Sequence, residues 1–401
     1  MATTAEQMRA WRGPVIFSFG FRPFFLGAAV WAALAMVLWI AMLAGKIALP
    51  TAFDAVSWHA HAFLFGYLPA VVAGFLLTAV PNWTGRLPIV GWPLAALFSL
   101  WVAGRVAVTL SAYLTPLSVA VIDLAMPVAL AALIAREIVA GKNWRNLIVL
   151  AMLVALILGN GVFHYEAARG VYAAQGYGLR IGLGAAMMMI AVIGGRVVPS
   201  FTRNYLVKQQ SATLPVPPMQ RFDKLALLAL LAGLLFWLAA PVSGFTAALL
   251  ALAGALHAAR LSRWAGLRTL RDPLVVVLHL AYAFVPLGAL ALAAGIAWPG
   301  AAGLGAVQHL WMAGAIGLMT VAVMTRASLG HTGQALWAGP GTVTIYVTLF
   351  LAVILRVFAG LFPAFAATVY ALSGLFWIAG FTGFALLYGP LLLRARPAKS
   401  R

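Results

Sequence analysis

Seven histidines carry most of the chemical capacity of this 401-residue chain, which has no cysteine and only seven acidic residues. Neutral imidazole offers a lone pair to a metal. Without thiolates, any metal must be held by histidine, carboxylate, methionine or backbone oxygen. Four histidines are expected at one depth near the outer face. His59 and His61 stand at the start of the second apolar run, His164 at the end of the fifth and His309 shortly inside the tenth. They are the candidate metal ligands. His59 and His61 are two apart, so on a helix they point to nearly opposite sides. Both reach one ion only if His59 is still in the loop.

Three arginines accompany them. Arg105, Arg180 and Arg356 lie within or at the outer ends of spans three, six and eleven. A guanidinium there pairs bidentately with a carboxylate, and Asp123, near the outer end of span four, suits one of them. The others call for an anionic ligand such as haem propionates, or snorkel to lipid phosphates. A second set, His279, His331, Arg196 and Arg326, is expected toward the cytoplasmic side as an inner haem or metal site. His257, with arginines close behind it, reads as interfacial.

The elements that must position these residues are membrane helices. The chain is 64% hydrophobic and 8% charged, too few charges to cover a soluble domain. Its apolar runs are unbroken rather than alternating, which favours helices over a barrel. Spans are expected near Phe24–Ala44, Trp58–Val80, Trp92–Ala112, Leu117–Ile134, Leu147–His164 and Leu179–Pro199. Six more follow near Leu225–Ala240, Gly244–Leu261, Pro273–Ala297, Gly303–Thr325, Thr342–Leu361 and Phe365–Leu393. Each is long enough for a hydrocarbon core of about 30 Å. The fold class is therefore all-α, a polytopic membrane protein with about twelve transmembrane helices.

The 26 Lys and Arg against 7 Asp and Glu do not indicate nucleic-acid binding, because the basic residues sit in alternate short loops. They include Arg86, Arg136, Lys142, Arg145, Arg203, Lys208, Arg221, Arg260, Arg263, Arg268, Arg271 and Arg326. This bias places both termini in the cytoplasm. Residues 1–23, including Arg9, Arg12 and Arg22, form a cytoplasmic segment without a convincing leader-cleavage site. Residues 24–393 form a single transmembrane domain, with 200–223 a Pro-containing cytoplasmic loop, and residues 394–401 a basic cytoplasmic tail with Arg394, Arg396, Lys399 and Arg401.

Spans two, six and ten align without gaps, which suggests three four-helix repeats. His61 falls on His309, Gly66 on Gly184 and Gly314, Pro81 on Pro199, Arg196 on Arg326, and Thr84 on Thr202 and Thr332. No hydrolase elbow, phosphate-binding loop or paired carboxylates accompany this pattern.

Several motifs together resemble the NnrS family. They are Gly20-Phe21-Arg22-Pro23-Phe24-Phe25, Trp58-His59-Ala60-His61 with Phe65-Gly66-Tyr67, and Thr78-Ala79-Val80-Pro81-Asn82-Trp83-Thr84-Gly85. His164, Gly195-Arg196 with Pro199 and Phe201-Thr202-Arg203, and Met324-Thr325-Arg326 with Gly330-His331-Thr332-Gly333 complete them. The resemblance implies a bacterial inner-membrane protein of twelve spans, containing haem and copper and associated with nitric oxide tolerance. Ala62 stands where the family commonly has Glu, and Trp311-Met312 where it often has Thr-Val. A weaker architectural resemblance is to the catalytic subunit of haem–copper oxidases and nitric oxide reductases. This chain lacks their histidines on spans six and seven.

The leading expectation is thus a haem-binding, copper-binding membrane protein in nitrosative stress, handling a small diatomic ligand such as nitric oxide or passing electrons as a redox enzyme. The haem would be b-type, with His61 and His309 as axial ligands, Arg105 and Arg356 at its propionates, His59 and His164 supporting it or binding a second metal, an electron donor as partner and lipid around it. The rivals are a secondary transporter with proton-linked histidines and a non-enzymatic haem sensor or scaffold.

Overall fold

The structure is a computed structural model and describes residues 11–84, 88–300 and 303–395. The expectations for Arg9, Gly85, Arg86, Arg396, Lys399 and Arg401 fall outside the described residues. Twelve helices among those described are long and apolar enough to cross a membrane. They are α1 (Phe21–Leu43), α2 (Ala55–Pro81), α3 (Trp92–Thr109), α4 (Pro116–Ala140), α5 (Trp144–Ala168), α6 (Tyr177–Lys208), α7 (Arg221–Ala239), α8 (Gly244–Ser262), α9 (Pro273–Ala297), α10 (Leu304–Thr332), α11 (Pro340–Leu361) and α12 (Pro363–Leu393). Their exposed residues are largely apolar, Leu, Val and Phe among them. Such a surface is stable against lipid and would be an aggregation hazard in water.

The helices overrun several of the expected spans. α6 continues to Lys208 and α7 begins at Arg221, so the Pro-containing loop is shorter than 200–223. The reason is local. At the start of α7 the Gln220 side chain and Asp223 form a reciprocal capping box, which satisfies free backbone donors ahead of the apolar run. Asp54, Thr115, Ser243 and Asp272 cap α2, α4, α8 and α9 more simply, each side chain accepting from backbone N–H groups of the first turn.

Helices α2, α6 and α10 are distinct from the rest. They are the most buried, at 78, 72 and 67% of their apolar windows, and each contains a π-helical stretch: Ala62–Tyr67, Ile190–Gly194 and Leu310–Leu318. In α2 and α10 the stretch starts directly after His61 and His309, which share a column of the sequence repeat. In α6 it starts at Ile190 rather than at Arg180, where the column would put it. A π stretch disturbs the regular backbone ladder. In α2 two indoles take carbonyls of that stretch: Trp31 Nε1 donates to Ala62 O at 2.8 Å and Trp101 Nε1 to Gly66 O at 2.9 Å.

The described residues form two compact units. The first comprises those up to Gly182, with Ala327–Ala335 and those from Phe381 onward. In it, Arg22 at the start of α1 closes the end of α12, its Nη1 donating to Leu392 O at 2.7 Å and to Arg394 O at 2.9 Å. A helix C-terminus leaves carbonyls unpaired, so the Gly20–Phe25 motif has a structural task. The second unit comprises Leu183–Arg326 and Leu336–Gly380. Its core is a tight α8–α9 pair, where Gly254 admits Leu290.

Candidate metal centre

Four helices of the first unit deliver polar side chains to one point. His61 comes from α2, Arg105 from α3, Asp123 from α4, and Asn160 with His164 from α5. Asn160 and His164 are one turn apart and so share a helix face. His61 Nε2 lies 3.1 Å from Asp123 Oδ2, and His164 Nε2 lies 3.0 Å from the same oxygen. Asn160 Nδ2 donates to that oxygen at 2.7 Å, and Asn160 Oδ1 stands 3.0 Å from His61 Nε2. Arg105 Nη2 pairs with the other oxygen, Asp123 Oδ1.

All five side chains are buried, His61 completely. Phe53, Phe65 and Phe163 wall the histidines, with ring centroids 5.5 to 5.6 Å from that of His61. Behind Arg105, a Cβ on Gly66 would stand 2.2 Å from Nη1, so only glycine lets the guanidinium pass over α2.

The donor set fits a transition-metal ion. His61, Asp123 and His164 each offer one ligand atom, all within 4.8 Å of one another. Ligands about 2.1 Å from an ion and at right angles are about 3.0 Å apart. Both histidine–carboxylate distances here match that edge. Two imidazoles and one carboxylate suit iron, copper or zinc.

A haem does not fit on the same atom. Asp123 and Asn160 stand within 3.1 Å of His61 Nε2, which leaves no room for a porphyrin plane between them.

The other expected ligands lie elsewhere. His59 is inside the helix, so it turns away from His61 and stacks on Trp39, with ring centroids 4.4 Å apart. Arg180 lies over the Tyr177 ring at 4.7 Å. In the second unit, His309 Nδ1 donates to Gly305 O at 2.5 Å. Arg356 lies over Tyr370, and its Nη2 would be 3.9 Å from a Cβ on Gly305. His309 and Arg356 thus meet around one glycine.

Of the inner set, His279 and Arg326 meet adjacent residues of α6. His279 Nε2 pairs with Thr202 Oγ1 at 2.8 Å, and Arg326 lies over Phe201, both in the second unit. Arg196 begins the last part of α6, and its carbonyl accepts from Ser200. His331 belongs to the first unit, against Phe19 and Phe21, with ring centroids 5.4 Å from each.

The interfacial reading of His257 is corrected. Its side chain is fully buried. Nε2–H donates to Ala226 O at 3.1 Å and Nδ1 accepts from Tyr282 Oη at 2.8 Å. Tyr282 and Asp223 in turn accept from Arg260, whose ion pair with Asp223 draws the His257–Arg260 end of α8 into the core.

Asn160 was not visible as a site residue in the sequence. A single Asn in an apolar run carries no positional label. Its one-turn spacing from His164 is the signal that could have found it.

The fold and the site define a polytopic membrane protein with a buried histidine–carboxylate cluster. The family model described as NnrS protein matches residues 15–396, and the chain belongs to the NnrS family. No curated protein matches it. Family membership supports a nitric-oxide-related membrane protein.

Proposed function

We propose that this protein is a metal- and haem-binding protein of the bacterial inner membrane that acts in nitric oxide chemistry, with both termini cytoplasmic. The observation that carries this reading is the convergence of His61 Nε2, His164 Nε2 and Asp123 Oδ2 in a water-excluded pocket. These three residues would hold the ion, with copper the metal expected from the family resemblance.

Arg105 takes one oxygen of Asp123 and leaves the second facing the histidines. Asn160 orients the same oxygen and steadies His61. Phe53, Phe65 and Phe163 exclude water, which strengthens every electrostatic contact inside. A copper ion there supplies a site for a small ligand and a one-electron redox couple.

The haem is assigned to His309, with Arg356 at a propionate. His309 Nδ1 donates to Gly305 O, the kind of backbone bond that orients a ligating imidazole. Arg356 Nη1 is buried with no hydrogen-bond partner among the described residues, as expected of a guanidinium awaiting an anion. The haem supplies an iron able to bind a diatomic molecule or pass an electron.

Absorption spectroscopy of detergent-purified protein tests this assignment. Wild type should show a Soret band that shifts on adding nitric oxide. His309→Ala should lose or strongly shift the band, while His164→Ala should keep it. A wild type without haem, or a His309→Ala spectrum identical to wild type, would refute the assignment.

A further inference from the structure

The charge inside the cluster is set by two side chains. Asp123 contributes one negative charge and Arg105 one positive, and imidazoles that ligate a metal are neutral. Asp123 is the one acid in the group, and it is 2% exposed. The ligand set therefore sums to zero before an ion enters. A two-histidine, one-carboxylate set without the arginine would sum to −1. A divalent ion would bring that set to +1 and this one to +2, in a pocket walled by three phenylalanines where uncompensated charge is strongly unfavourable.

Arg105 has no easy escape from this sum. A guanidinium stays charged in proteins. Gly66 lies against its Nη1, and the Trp31 ring faces it at 5.9 Å. Its Nε and Nη1 are buried and have no hydrogen-bond partner among the described residues. A fixed positive charge, paired with Asp123 through Nη2, therefore sits beside a site that would be short of negative charge.

We propose, resting on the reading that His61, His164 and Asp123 hold a metal, that this centre takes a small monovalent anion together with a divalent ion, and that Arg105 imposes the requirement. The anion belongs to the class of azide, halide, hydroxide and nitrite, small enough for an aromatic-walled pocket. Arg105 acts through its charge: by neutralising Asp123 it leaves the ion with charge to attract an anion.

The test uses Cu(II) as the metal and azide as the anion, on the full chain in detergent and a non-coordinating buffer. Copper retention is measured against a competing chelator, and azide binding by its charge-transfer absorption. In wild type, azide should tighten Cu(II) retention at least tenfold and produce the band. Arg105→Gln should retain Cu(II) without azide, and azide should tighten it less than twofold. Arg105→Lys should behave as wild type. Equal retention by wild type with and without azide would overturn the inference without recourse to any variant. An azide effect undiminished in a folded Arg105→Gln protein would overturn the role of Arg105. If wild type and His164→Ala hold Cu(II) equally, the metal reading itself fails and the inference falls with it.

Discussion

Asp123 is the residue on which the site depends, because it serves Arg105 with one oxygen and His61, Asn160 and His164 with the other. Removing one partner of a buried ion pair costs about 3–5 kcal/mol, whereas replacing both by apolar groups is often neutral. Asp123→Asn should therefore lower the thermal midpoint in detergent markedly. The Arg105→Met, Asp123→Leu double variant should recover most of the loss, as followed by thermal denaturation. A double variant no better than the single would show that the pair contributes more than mutual compensation. Much of this centre was legible in the sequence. Charge pairing made Asp123 the partner expected for one arginine, though not a metal ligand, and span positions placed His61 and His164 at one depth. The separation of His59 from His61 follows from helix geometry and was foreseen as one alternative. The aromatic wall was not legible, because Phe53, Phe65 and Phe163 look like any other lipid-phase phenylalanine until the packing is known.

At the scale of the helix, the repeated glycine column does different work at each of its positions. A Cβ on Gly66 would stand 2.2 Å from Arg105 Nη1, and one on Gly314 would stand 2.5 Å from Phe284. At Gly184 the nearest atoms are 3.9 Å away, in ordinary contact with Leu234. Gly66→Ala should thus displace Arg105, lowering both thermal stability and metal retention. Gly184→Ala should leave metal retention unchanged and the thermal midpoint at or slightly above wild type, since glycine in a helix is itself unfavourable by roughly 1 kcal/mol relative to alanine. Equal effects at the two positions would remove the close approach as the reason for Gly66. The sequence identified all twelve helices through their apolar runs but misplaced several ends. Apolarity marks the stretch suited to lipid, while caps such as Asp223 and continuations such as Gly195–Lys208 decide where the helix stops. The π stretches left no mark that periodicity could detect, although their place after His61 and His309 fits the tendency of such stretches to occur at functional sites.

For the whole molecule, the proposed cytoplasmic position of both termini follows from the basic loops and the even number of spans. Reporter fusions at Lys399 and within the Pro-containing loop should read inside, and one in the Lys46–Asp54 loop should read outside. A C-terminal reporter on the outside would invert the depth at which the histidines were sorted. The sequence also led to a pairing of His61 with His309 on one haem. The contacts of His61 Nε2 with Asp123 and Asn160 instead favour the proposed division, with His61 in the metal cluster and His309 beside Arg356. The most direct test of that division is the metal content per chain of purified protein, by elemental analysis, across wild type, Asp123→Asn, His164→Ala and His59→Ala. Wild type and His59→Ala should each retain about one non-haem transition-metal ion per chain. Asp123→Asn and His164→Ala should each lose at least nine-tenths of it while remaining folded and inserted. A full complement of metal in both of those variants, or its loss from His59→Ala alone, would contradict the centre described here.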